Sequence, residues 1–149
     1  MSVQTVADGS NFTVINVGKF SELNRFSFVL PNLTIEGKVY LSQPAKLTGC
    51  EISYNSMKPG ATLPFYHFHR KHEEVYCILS GTGEYQIDDK VFPIVEGTVV
   101  RVGTGANQNI KNTGTVPLVY QCIQTTENSY QKDIPNEYEI TQIESKFSK

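Results

Sequence analysis

Short runs rich in β-branched and aromatic residues recur along the chain at 12–17, 50–57, 65–69, 74–79, 83–87, 91–95, 98–102, 108–112 and 118–124. Runs of this length, too short for ordinary helices and separated by turn residues, predict the strands of an antiparallel sandwich or barrel. Lys58-Pro59-Gly60, Ser80-Gly81-Thr82-Gly83, Glu96-Gly97, Gly103-Thr104-Gly105 and Asn112-Thr113-Gly114 punctuate them. Asp88-Asp89 supplies a two-residue hairpin turn, because Asp tolerates left-handed dihedrals better than most residues. The two ends differ from this middle. In 18–26, Phe20, Leu23 and Phe26 recur at three-residue intervals with Ser21 as a candidate cap, which predicts one short helical turn. From Thr125 the chain becomes polar, with scattered apolar positions at Ile134, Tyr138, Ile140, Ile143 and Phe147 and with Pro135 interrupting any helix, so a loosely docked or partly disordered tail is expected. The resulting organisation is an arm over 1–34 with one strand and the short helix, a β-barrel over 35–125, and a polar tail over 126–149.

Composition agrees with a mostly β protein. Val, Ile and Thr together number 38, against 12 for Ala and Leu together, and branched side chains lose rotamer freedom in helices but pack well on pleated sheets. A length of 149 residues is one domain's worth of chain, and 39% hydrophobic residues are too many for a disordered one. With a formal net charge of −2 and no basic tract, nucleic acid is a poor fit as a partner and none is expected. No apolar run approaches the roughly 20 residues that a bilayer span needs, so no membrane association is expected. The start, MSVQTVADGS, lacks a leader pattern. Cys50, Cys77 and Cys122 sit in β-like runs without CxxC spacing, which predicts buried free thiols and, with the missing leader, a cytoplasmic location.

The chain holds three histidines, all between residues 67 and 72. Side chains two apart on a strand share a face, so a strand over 65–69 would project His67 and His69 together. With 70–73 as a connecting loop, which leaves His72 and Glu73 solvated, Glu74 opens the next strand and adds a carboxylate to the same surface. Two imidazoles and one carboxylate leave coordination positions open, a ligand set suited to iron, manganese, nickel or zinc. The bland alternatives are two surface histidines and a solvated Glu74 partnered by Lys71 or Arg70.

The run 60–81, GATLPFYHFHRKHEEVYCILSG, resembles the first motif of the cupin superfamily, with His67, His69, Glu74 and Gly81 at the motif positions. The continuation through 103–112 is similar to the second motif. The resemblance implies an all-β fold, an antiparallel double-stranded β-helix or jelly-roll barrel, with a divalent transition metal at its centre and a small-molecule ligand or substrate. It also implies a fourth histidine ligand, but Gln108 stands at that position and the motif's proline is missing. Gln108 has three readings: coordination through its oxygen, a hydrogen bond to water or substrate, or a side chain turned away.

Parity puts Phe65 on the face of His67, and Tyr76 and Ile78 on that of Glu74, so Phe65 and Tyr76 are candidates for substrate binding. A buried phenol needs a hydrogen-bond partner, which a ligand can be. The strand over 50–57 alternates Glu51, Ser53 and Asn55 with Ile52 and Tyr54; such a polar stripe ordinarily faces water and lines a site only if the barrel interior is polar. Arg101 serves an anionic substrate or a surface salt bridge. Three function classes follow: a metal-dependent enzyme of dioxygenase or isomerase type on a small organic substrate, a noncatalytic small-molecule-binding module, or a structural domain with a relic motif. A homodimer is the expected assembly if the segment over 12–17 exchanges between copies.

Overall fold

The structure is a computed structural model that describes residues 2–132, 134 and 137–147. Nearly all of its regular structure is antiparallel β. Five strands form the main sheet in the order β10-β7-β12-β6-β5: β5 (Lys38–Tyr40), β6 (Glu51–Met57), β7 (His72–Ser80), β10 (Val99–Val102) and β12 (Leu118–Thr126). Three more, β8 (Thr82–Ile87), β9 (Lys90–Val95) and β11 (Gln108–Asn112), form a second sheet in the order β11-β8-β9. Strands alternate between the two sheets, β7 and β10 in one and β8, β9 and β11 in the other, as a double-stranded β-helix requires. Tyr76, Ile78, Tyr120 and Cys122 of the main sheet pack with Tyr85, Ile94 and Ile110 of the smaller one to form the core between them.

The turns form where the chain chemistry allows. Asp88 takes φ +50° in the β8–β9 hairpin. Gly81 takes φ +88°, and a Cβ there would lie 2.7 Å from the Pro117 carbonyl oxygen, so only glycine fits between β7 and β8.

The N-terminal arm is more strand-rich than its sequence pattern suggests. It contains β1 (Gln4–Asp8), β2 (Thr13–Asn16), a 3-10 turn (Phe20–Arg25) and β3 (Ser27–Leu30), which pairs with β4 (Leu33–Glu36). The expected helical turn is the 3-10 segment; Ser21 does not cap it, and Leu23 and Phe26 anchor it in the interior. β2, the candidate for exchange between copies, pairs with β1 of its own chain. Val17, Leu23, Phe26, Val39, Leu41 and Val119 make a second core on the outer face of the main sheet. The only α-helix among the described residues, α1 (Ser42–Ala45), is held by Glu51, whose carboxylate accepts from the Leu41 and Ser42 amides at 3.1 and 2.9 Å.

That second core reverses the expected orientation of the 50–57 stripe. Ser53 and Asn55 are 2% and 3% exposed, on the inner face, while Ile52 and Tyr54 pack under the arm. Two further expectations are corrected. Residues 65–69 are not a strand; one isolated bridge, His67 to Gln108, pairs this segment with β11, and Thr62 bridges Lys111 just before it. Pro64 has no amide hydrogen to give a ladder, and the Asn109 side chain satisfies the carbonyls on either side of it, donating to Leu63 and Phe65 at 3.0 and 3.1 Å. His72 and Glu73 are not loop residues but the first two of β7, paired with Thr126 and Thr125, because β12 runs on to Thr126 and supplies partners. Arg101 is a surface residue, bound to Glu73 at 2.5 Å and to Glu127 at 3.2 Å.

The cysteines are free, with Cys122 buried and Cys50 and Cys77 partly so. Beyond Tyr130 the described residues carry no regular structure, and Tyr138, Ile140, Ile143 and Phe147 are exposed. Pro135, the expected helix breaker, lies outside the described residues. No helix among them is long and apolar enough to cross a membrane.

Candidate metal centre

Although 65–69 is irregular, its extended backbone keeps the period of two: Phe65, His67 and His69 turn inward while Tyr66 and Phe68 are exposed. The two imidazole rings stand 5.4 Å apart, nearly perpendicular. β7 brings Glu74 against them, buried on the inner face, and one ligand atom from each of the three lies within 4.8 Å of the others. His69 Nε2 is 3.3 Å from Glu74 Oε1, and His67 Nε2 is 3.8 Å from Glu74 Oε2. Ligand atoms on one divalent metal, each about 2.1 Å from it, are separated by roughly 3–4 Å, so these spacings fit. His69 Nε2 is buried with no hydrogen-bond partner, and a buried nitrogen left unpaired beside a carboxylate is a place that a cation would fill.

Glu74 is a prepared carboxylate. Burial alone would raise its pKa, but the His67 imidazole, the nearby His69 and hydrogen bonds from Tyr76 and Gln108 outweigh that and lower it from 4.5 to about 2. Tyr76 Oη donates to Oε2 at 2.9 Å and Gln108 Nε2 donates to the same oxygen at 2.5 Å. The Cys122 thiol donates to Oε1 at 3.5 Å. Burial pushes the Cys122 thiol up to about 12 and the Tyr76 phenol well above its usual range, so both stay protonated and act as donors.

Each sequence-predicted position can now be placed. His67, His69 and Glu74 converge. Gln108, 1% exposed on β11, joins the cluster, but its oxygen accepts from the buried Tyr85 hydroxyl while its nitrogen faces Glu74. Turning the amide over would set its oxygen against the carboxylate, so the network fixes this orientation. Asn112, fully buried at the end of β11, ties the end of β6 to the segment before β12 by donating to the Met57 and Val116 carbonyls, at 2.9 Å each. Phe65 lies edge-on to the His67 ring, with centroids 5.5 Å apart. Tyr76 finds its hydrogen-bond partner in Glu74.

Tyr85, Cys122 and Gln124 were missed. The Gln124 amide lies 3.2 Å from both His69 Nδ1 and His72 Nδ1; an imidazole that ligates through Nε2 donates its Nδ1 hydrogen, so a metal on His69 requires this amide turned to present its oxygen. Gln124 pairs with Glu74 across β12 and β7, and no local pattern announces which strands will be neighbours.

An antiparallel double-stranded β-helix whose inner face gathers a His-x-His pair and a following glutamate is the arrangement of the cupins. The family model for the cupin domain matches residues 54–124. The fold is similar to that of a cupin protein from Bacteroides fragilis, with TM-score 0.66 and 29% identity, covering 77% of this chain and 94% of that one. It is also similar to a putative sugar phosphate isomerase from Acidithiobacillus ferrooxidans, with TM-score 0.59 and 26% identity over 73% of this chain and 74% of that one. The alginate biosynthesis protein AlgA of Pseudomonas fluorescens is 29% identical over 80 residues, which are 54% of this chain but 16% of that protein, so the chain spans only a small part of this relative's length. Residues 54–124 match the cupin domain, and the fold that contains them is the cupin fold.

Proposed function

We propose that the chain is a metal-dependent cupin enzyme acting on a small oxygenated organic substrate, with His67, His69 and Glu74 holding one divalent iron, manganese, nickel or zinc ion. The observation that carries this reading is the convergence of those three side chains on the unpartnered His69 Nε2. A metal held there would supply Lewis acidity to substrate oxygens. Gln124, with its amide oxygen turned to His69 Nδ1, would orient that ring for Nε2 ligation, Tyr76 and Gln108 fix the Glu74 carboxylate, and Phe65 forms an apolar wall beside His67. Gln108, with its oxygen engaged by Tyr85, acts in this reading by holding Glu74 rather than as a fourth ligand.

Among reactions of the dioxygenase and isomerase types, the isomerase type is the better supported, by the likeness to a structure described as a putative sugar phosphate isomerase. An aldose–ketose isomerisation moves a proton between neighbouring carbons and consumes no other reagent.

The test has two stages. Metal-free protein should gain thermal stability from at least one of Fe(II), Mn(II), Ni(II) and Zn(II), since a ligand at 100 times its Kd adds about 2.7 kcal/mol. His69→Ala should lose that gain. The loaded protein should then interconvert aldose and ketose phosphates, with solvent deuterium entering the carbon next to the carbonyl. Metal binding without turnover on a panel of sugar phosphates would favour the noncatalytic binding module, a reading supported by the engaged oxygen of Gln108. No metal binding would reject both.

A further inference from the structure

A cavity of about 390 Å³ lies where the edge of the main sheet meets the β3–β4 hairpin and the segment 61–64, and neither the two histidines nor Glu74 lines it. Its walls are largely apolar, from Ile35, Met57, Leu63, Pro64, Pro117 and Tyr120. One cation faces this space without a counter-charge of its own. Lys38 and Asn55 are cross-strand partners on β5 and β6, and the Lys38 ammonium donates to Asn55 Oδ1 at 3.1 Å. It also stands 4.7 Å from the centre of the Tyr40 ring. The Asn55 amide is fixed by donating to Ser53 Oγ at 3.0 Å, so it offers Lys38 only its oxygen. Among the described residues no carboxylate forms a salt bridge with Lys38; Glu51 is occupied by the start of α1, and Glu36, at the cavity wall, is paired with Lys58. An ammonium has three donors, and two are left.

We propose that this cavity binds an amphipathic monoanion, a carboxylate carried on an apolar chain or ring, with the Lys38 ammonium as its anchor. The volume is within the range of small-molecule sites, roughly 300–1,000 Å³, and the mostly apolar wall with one placed charge is their usual chemistry. A phosphate dianion fits less well. It calls for several convergent donors or a guanidinium fork, whereas here a single ammonium stands alone and Glu36 adds a negative charge to the wall. Burial lowers the Lys38 pKa, against the opposing pull of the Glu74 and Glu51 carboxylates, and an arriving carboxylate relieves that cost.

This site is separate from the metal reading and is tested without it. Met57 lines the cavity and is one of only two methionines in the chain, so its methyl carbon, labelled with ¹³C, is a local reporter. Octanoate titrated into chelator-treated protein should shift the Met57 methyl signal saturably and leave that of Met1 unmoved. Lys38→Leu should weaken octanoate at least tenfold while changing 1-octanol, the same apolar body without charge, by less than twofold. Leu63→Trp, which fills the cavity, should weaken both, and Glu74→Gln should weaken neither. The proposal is overturned if octanoate does not move the Met57 signal, or if Lys38→Leu binds it as well as the wild type does. It is also overturned if Glu74→Gln abolishes the binding, which would relocate it to the metal centre. If Lys38→Leu does not fold, the wild type decides: octanoate no tighter than 1-octanol contradicts an ammonium anchor.

Discussion

β6 and β12 present different worlds on their two faces. Outward, Ile52, Tyr54 and Val119 meet Val17, Leu23 and Phe26 of the arm, and the contact is almost wholly apolar. Inward, the same strands place Ser53, Asn55, Cys122 and Gln124 in a polar interior together with Glu74 and Tyr76. Apolar burial is additive and non-directional, so the outer face tolerates local change at a cost in stability alone. A buried polar network needs every member, because a donor or acceptor left unpaired loses its full solvation. The outer face therefore holds the fold together, and the inner face holds particular atoms in place.

Substitutions can break this contrast. Leu23 is fully buried in the outer core, and Leu23→Ala should cost about 2–5 kcal/mol of stability in urea unfolding while leaving the metal affinity of the folded protein within a factor of two. A coupled loss of both would show that the faces are not independent.

The inner face should reveal itself through pH. The folded-state pKa of Glu74 is depressed to about 2 from an ordinary 4.5, so its ionised form stabilises the fold above pH 4.5 and that contribution disappears as pH falls toward 2. For metal-free protein, the stability difference between wild type and Glu74→Gln should shrink by roughly 3 kcal/mol across that window. A difference that stays flat would mean that the carboxylate is not what Tyr76, Gln108 and the histidines hold.

Smaller effects sharpen the picture at β11. Gln108→His should tighten Ni(II) about tenfold, since an imidazole is a better donor than an engaged amide, and Tyr85→Phe, which releases the Gln108 oxygen, should change affinity by only a few fold. Unchanged binding in Gln108→His would place residue 108 outside the reach of the metal. At the surface, Arg101→Ala should leave thermal stability nearly unchanged despite its two ion pairs, because exposed pairs are weak.

The barrel was legible because its strands are local events. Runs such as 83–87 and 91–95, joined by Asp88-Asp89, state both the strands and the turn in one stretch of chain, and β8 and β9 follow them. Parity within single segments also carried His67, His69 and Glu74 to one place, even though 65–69 lacks a regular ladder. What escaped depends on partners distant in sequence. The inward turn of Ser53 and Asn55 is decided by an arm some thirty residues earlier that claims the other face, so the stripe alone points the wrong way. The pairing of β12 with β7, which brings Gln124 and Cys122 to Glu74, likewise has no local signature.

The central claim is that the inner face is built around a cation. Calorimetric titration of Ni(II) into metal-free wild type and His69→Ala at neutral pH tests it most directly. One ion per chain should bind the wild type, and His69→Ala should bind at least a hundredfold more weakly. Equal affinity in the two proteins, or no saturable binding in the wild type, would contradict it.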